Sequence, residues 1–169
     1  MVVDLEGVLS AGRTWRALGR YLVVHGRAPC YLRFLLQRLP LWPRRRSEII
    51  AALRAHQIAG ERVLITSASY QPVLEHFARK LGAEALGSPL EVADEALTGR
   101  LAGALNVGEV KAQRLHEALG EVRLYAAYGD TGADIPMLLL SDHPVAVYPD
   151  RRLRATARAL GWMVLEPYR

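Results

Sequence analysis

Met1-Val-Val-Asp4-Leu-Glu6-Gly7-Val-Leu-Ser10 opens the chain. A short β-prone run delivers Asp4, a second carboxylate follows at Glu6, and Gly7 lets the chain turn. Buried strands rarely end in two carboxylates unless those groups meet something charged. At the carboxyl end of a strand in an open α/β sheet, that partner is a ligand or a metal ion. Ordinary strand-to-loop turns also carry acids and glycine, so the stretch takes its meaning from what the rest of the chain brings to it.

Beyond residue 61 the pattern alternates between strands and helices. Residues 62–66 read as a buried strand and 70–81 as a helix closed by Gly82, with 83–87 as a short strand. Residues 90–93 and 96–100 read as a hairpin around Asp94-Glu95, and 108–119 as a helix. Strands are expected at 122–128, 144–148 and 162–165, and helices at 134–140 and 151–160. Strands separated by single helices predict a Rossmann-like, mainly parallel sheet with helices on both faces.

Residues 11–55 break this pattern. Trp15, Leu18 and Leu22 fall at helical spacing, Pro29 opens a run with Leu32, Leu35, Leu36 and Leu39, and Ser47 with Glu48 is expected to cap a third helix over 48–56. The domain reading is an α/β core of residues 1–10 and 56–169, with a small helical insertion at 11–55.

Charge separates the two parts. The chain has 169 residues and a net charge of +5, but nine arginines and no acid lie between Gly7 and Ser47, leaving 13 basic residues against 17 acidic ones elsewhere. The basic part is expected to meet anions. No apolar run is long enough to cross a bilayer and none resembles a signal peptide, so a cytoplasmic protein is expected. The single Cys30 excludes an internal disulfide or a cysteine-rich zinc site, and the five histidines lack paired metal spacing.

Four positions fall at strand ends or helix starts that share one sheet edge. Asp4 and Glu6 end the first strand, Ser67 follows the second, Lys111 begins a helix, and Asp130 and Asp134 follow the strand at 122–128. Carboxylates from two strands suit Mg²⁺, and a lysine and a hydroxyl beside it complement an anion. The set suits phosphoryl transfer through a carboxylate nucleophile.

These motifs resemble the haloacid dehalogenase superfamily, in particular its phosphoserine phosphatase-like subgroup. The resemblance rests on Asp4-Leu-Glu6-Gly-Val-Leu9, Leu64-Ile-Thr-Ser67-Ala-Ser69, Gly108-Glu-Val-Lys111 and Gly129-Asp130-Thr-Gly-Ala-Asp134. It implies Asp4 as nucleophile, passing through an aspartyl phosphate, and Glu6 as acid and then base. It implies Mg²⁺ held by Asp4, Asp130 and the Glu6 carbonyl, with Asp134 in support, and Ser67 and Lys111 on the phosphoryl oxygens. The insertion at 11–55 would be a cap, short for this subgroup. Glu6 and Val8 stand where an Asp and a Thr are commoner.

The expected activity is Mg²⁺-dependent hydrolysis of a small phosphorylated metabolite, phosphoserine first. Alternatives are a phosphotransferase, a lipid-phosphate phosphatase, or a non-catalytic domain that binds phosphate or a partner. The arginines are open to three readings: a solvated face, recognition of a carboxylate or second phosphate, or weak contact with a membrane surface. Nucleic acid is not expected as a partner, since no recognised binding module accompanies the charge.

Overall fold

The computed structural model describes residues 1–5, 8–9, 46–93, 96–121 and 123–166. Glu6 and the expected insertion helices within residues 11–45, with the arginines for which weak membrane-surface contact was one expectation, lie outside the described residues.

Six strands form one parallel sheet: β1 (Val2–Asp4), β2 (Leu64–Tyr70), β3 (Glu84–Ser88), β6 (Leu124–Gly129), β7 (Ser141–Val147) and β8 (Met163–Leu165), in the order β3-β2-β1-β6-β7-β8. The remaining pair, β4 (Leu90–Ala93) and β5 (Ala96–Leu101), is a separate antiparallel hairpin. The helices are α1 (Ser47–Ile58), α2 (Gln71–Leu81), α3 (Glu109–Leu119), α4 (Ile135–Leu138) and α5 (Arg151–Leu160).

Side chains alternate across a strand, and neighbouring residues here enter different cores. Val3, Ile65, Ala126 and Val147 join Ile49 and Leu53 of α1 and Val73, Leu74, Phe77 and Leu81 of α2. Val2, Leu64, Ala127 and Ala146 join Leu115 of α3, Met137 and Leu138 of α4, and Leu153 and Ala157 of α5. Helices thus cover both faces, and the expected α/β architecture holds. A buried Leu, Ile or Phe contributes roughly 1.5–3 kcal/mol, so apolar spacing decides which way each element faces. In α2 the apolar residues recur at one-turn intervals, and Gly82, at φ 64°, turns the chain out of the helix.

Three expectations change. Helix α1 spans the expected boundary between residues 55 and 56, and its Ile49 and Leu53 are fully buried in the same core as β1. Ser47 is its first residue rather than its cap; the cap position is Arg46, with no side-chain bond, and the Ser47 hydroxyl donates to Glu48 Oε2 at 3.3 Å. Strand β2 runs past Thr66 to Tyr70, with a register irregularity between them. That extension is held by Ser88 Oγ, which donates to Ala68 O at 2.8 Å. Among the described residues, no helix is long and apolar enough to cross a membrane.

Replacing Leu53 by alanine removes a fully buried side chain where α1 meets the sheet. The expected loss is about 2–5 kcal/mol of unfolding free energy in a urea titration. A loss below about 1 kcal/mol would show that α1 does not pack on this core.

Candidate active site

The sheet order reverses direction between β1 and β6: β2 and β3 lie on one side of β1, β7 and β8 on the far side of β6. Such a switch point leaves a crevice at the carboxyl ends of its two central strands. Asp4 ends β1, opposite Thr66 of β2, and Asp130 immediately follows β6.

Lys111, in the first turn of α3, joins them. Its Nζ donates to Asp4 Oδ1 at 2.8 Å and to Asp134 Oδ1 at 2.7 Å. The lysine is 3% exposed, Asp4 5% and Asp134 2%, so all three charges are out of water. Burial alone pulls the Lys111 ammonium down, but Asp4 and Asp134 outweigh it, and the group is raised and stays charged.

Asp134 is fixed from both ends. While Oδ1 accepts from Lys111, Oδ2 accepts from Asp130 N at 3.2 Å, Thr131 N at 3.1 Å and Thr131 Oγ1 at 3.2 Å. A 3₁₀ turn over Gly132–Asp134 makes this possible, with Thr131 and Asp134 capping each other. The side chain folds so closely over β6 that a Cβ at Gly129 would lie 2.6 Å from Asp134 Cβ. Glycine there is a requirement of the close approach.

The Asp4, Asp130 and Asp134 carboxylates offer oxygens that all lie within 4.8 Å of one another. Burial first, and then the charge of Asp134, push Asp130 up to about 7. Burial likewise holds Asp4 well above the ordinary carboxylate range; Lys111 opposes the rise, and Asp134 and Asp130 add to it. Three carboxyl groups face one ammonium in a largely dry crevice. This donor set fits a hard divalent cation such as Mg²⁺, which takes oxygen ligands. With both oxygens of Asp134 engaged, Asp4 and Asp130 are the residues that could hold it directly, and Asp134 would brace them.

Ser67 is buried beside Thr66 on β2, and its Oγ accepts from Ser69 N at 3.0 Å. It shares the sheet edge with the cluster but makes no hydrogen bond to it among the described residues. Glu6 lies outside those residues.

Two contributors escaped the sequence reading. Asn106 is completely buried, and its Nδ2 donates to Thr66 Oγ1, Ser67 O and Leu86 O at 2.9, 3.0 and 2.7 Å. It ties the Ser67 segment to the loop that leads into α3 and Lys111. An Asn two residues before a Gly reads as loop punctuation, so nothing local announced its burial. Asp150 caps α5, its Oδ1 accepting from Leu153 N at 2.8 Å, while Oδ2 accepts from Gly132 N at 3.0 Å. Its position just before a helical run was a usable signal for the cap, though not for the bond to Gly132.

Asp130 favours its neutral form in the metal-free fold. Its contribution to stability is therefore complete below about pH 4 and is lost as pH rises toward 7. In EDTA, the melting temperature is expected to fall between about pH 5 and about pH 8. Added Mg²⁺ should raise it by several degrees at the upper pH and little at the lower. Equal shifts at both would contradict the assignment of these carboxylates to a cation.

A family model for haloacid dehalogenase-like hydrolase matches residues 8–139. Phosphoserine phosphatase SerB1 of Mycobacterium tuberculosis is 38% identical over 114 residues, which cover 64% of this chain and 37% of that protein. A histidinol-phosphatase of Neisseria meningitidis is 32% identical over 122 residues, covering 67% of this chain and 55% of that one. The chain thus spans well under two thirds of these curated relatives. A crystal structure of a phosphoserine phosphatase in its apo form superposes with a TM-score of 0.66 at 18% identity, covering 98% of this chain and 92% of the other. That likeness is one of fold. With most of its length matched by the family model and a buried cluster of acids around a lysine at its switch point, the chain belongs to the haloacid dehalogenase-like hydrolases.

Proposed function

We propose that the protein is a Mg²⁺-dependent phosphomonoesterase that acts through an aspartyl phosphate on a small phosphorylated metabolite, with phosphoserine the first choice of substrate. The observation that carries this reading is the Lys111 ammonium bonded to Asp4 and Asp134, with the Asp130 carboxylate alongside. The names of the relatives, a phosphoserine phosphatase and a histidinol-phosphatase, support the same class of small phosphate ester.

An ammonium has three donors, and Lys111 spends two on Asp4 and Asp134. Among the described residues the third has no partner and would serve a phosphoryl oxygen, while the two bonds would orient Asp4 for attack. Asp4 and Asp130 would hold the Mg²⁺, which supplies positive charge against the carboxylates and the phosphoryl oxygens. Asp4 attacks phosphorus, the bond to the ester oxygen breaks, and Glu6 donates a proton to the departing alcohol. Glu6 then takes a proton from the water that attacks the acyl phosphate, releasing inorganic phosphate and restoring Asp4. Ser67, at the neighbouring strand, would steady the phosphoryl group once it is bound. Burial is central to these roles, because charge–charge interactions strengthen where water is excluded.

A generic aryl phosphate assayed with and without Mg²⁺ tests the reaction class. Asp4→Asn keeps the shape of the side chain and removes its nucleophilic charge, so kcat should fall by about 10⁴-fold or more. Turnover that needs no metal and survives this substitution would exclude the mechanism. Product analysis with added glycerol or ethanolamine separates the two fates of the acyl phosphate: inorganic phosphate indicates hydrolysis, and a new phosphate ester indicates transfer.

A further inference from the structure

Ser67 sits where β2 departs from regular geometry. In a regular strand, successive carbonyls turn to opposite sides. Thr66 O turns toward β1 and accepts from Leu5 N at 3.1 Å. Ser67 O then turns toward β3, where it accepts from Asn106 Nδ2 at 3.0 Å. Ala68 O does not turn back: it accepts from Ser88 Oγ at 2.8 Å, again on the β3 side. The two strands lose register over this stretch, between Thr66 and Tyr70. Irregularities of this kind re-aim a side chain and recur beside active sites.

Both displaced carbonyls lead to Asn106. Its side chain holds Ser67 O directly, and its own N–H donates at 3.0 Å to Ser88 Oγ, the hydroxyl that holds Ala68 O. The residue is the centre of a tight turn in which Val107 N donates to Leu105 O at 2.9 Å, and α3 with Lys111 follows at once. Asn106 is completely buried, yet its Oδ1 has no hydrogen-bond partner among the described residues. An apolar side chain would avoid that stranded acceptor; what asparagine adds is the amide donor facing Ser67 O, Thr66 Oγ1 and Leu86 O. Lys111 needs no such brace, because Asp4 and Asp134 already hold its Nζ. Ser67 has only its neighbour: Oγ accepts from Ser69 N at 3.0 Å, and the hydroxyl hydrogen has no acceptor among the described residues.

We propose that Asn106 is a positioning residue that holds Ser67 at a fixed separation from Lys111, so that hydroxyl and ammonium grip one phosphoryl group together. Groups whose spacing is set before binding hold an anion more tightly than groups that must be ordered by it. Asn106 acts through Ser67 and makes no hydrogen bond to Asp4, Asp130 or Asp134. The assignment rests on Ser67 and Lys111 taking the reacting phosphate, as the proposed phosphatase requires, and it names the device that sets their spacing.

Inorganic phosphate, titrated by calorimetry in Mg²⁺, reads this grip without turnover. Asn106→Ala and Ser67→Ala should each weaken phosphate binding by about ten-fold. The double variant should bind phosphate as Ser67→Ala does, because the brace has nothing left to position. Mg²⁺ titrated alone should bind Asn106→Ala within about two-fold of the parent, a readout that general damage to the fold would move. Asn106→Leu, which keeps the shape of the side chain and removes the amide, serves should Asn106→Ala not fold. Losses that multiply in the double variant would show that Asn106 acts independently of Ser67 and would overturn the proposal. Unchanged phosphate affinity in either single variant, a parallel loss of Mg²⁺, or no phosphate binding by the parent would overturn it too. Turnover of an aryl phosphate is scored separately: coupled phosphate binding without turnover removes the phosphatase reading and leaves the Asn106 assignment standing.

Discussion

A buried ammonium shared by two carboxylates ties together three parts of the chain. Lys111 is 107 residues from Asp4 and 23 from Asp134, and it bonds to both. Burial opposes charge on each of these groups, and the ammonium–carboxylate bonds offset part of that cost. Breaking such a group by removing one partner strands the others in a low-dielectric setting. The geometry of α3, of the turn after β6 and of the end of β1 is therefore set by one shared requirement.

That requirement is only partly met within the cluster itself. Three carboxyl groups stand around one lysine, and burial first, then the charge of Asp134, raises the Asp130 carboxyl. A stability optimum would have replaced such a group with apolar packing, since buried ion pairs rarely repay their desolvation. Three carboxyl groups retained at the switch point of a parallel sheet make a donor set that could hold a divalent cation. The surrounding framework is correspondingly stiff: Asp134 is bonded at both oxygens, Asn106 is buried with its amide spread over three acceptors, and Asp150 braces both the 3₁₀ turn and α5. Haloacid dehalogenase-like membership and the expected chemistry rest on this arrangement as much as on the motifs.

The alternating pattern from β2 to β8 was legible because buried strands and amphipathic helices differ in their apolar periodicity. The same logic failed at α1. Its apolar Ile49 and Leu53 fit a helix of the insertion as well as a helix of the core, and only packing against Val3 and Ile65 decides between them. Strand β2 ran longer than expected because polar Ser67 and Ser69 read as a loop, while hydrogen bonds from Ser88 and Asn106 hold that stretch against β3.

By itself, the amino-acid sequence determined the α/β class and the family, and it singled out Asp4, Ser67, Lys111, Asp130 and Asp134 as candidates, because motif chemistry and periodicity are local properties. Tertiary structure alone decided that Lys111 bonds to Asp4 and Asp134 at once, that both oxygens of Asp134 are engaged, and that Asn106 joins two loops in the interior. Those relations depend on strand order and on the exclusion of water. Both arise only when residues far apart in the chain are packed side by side.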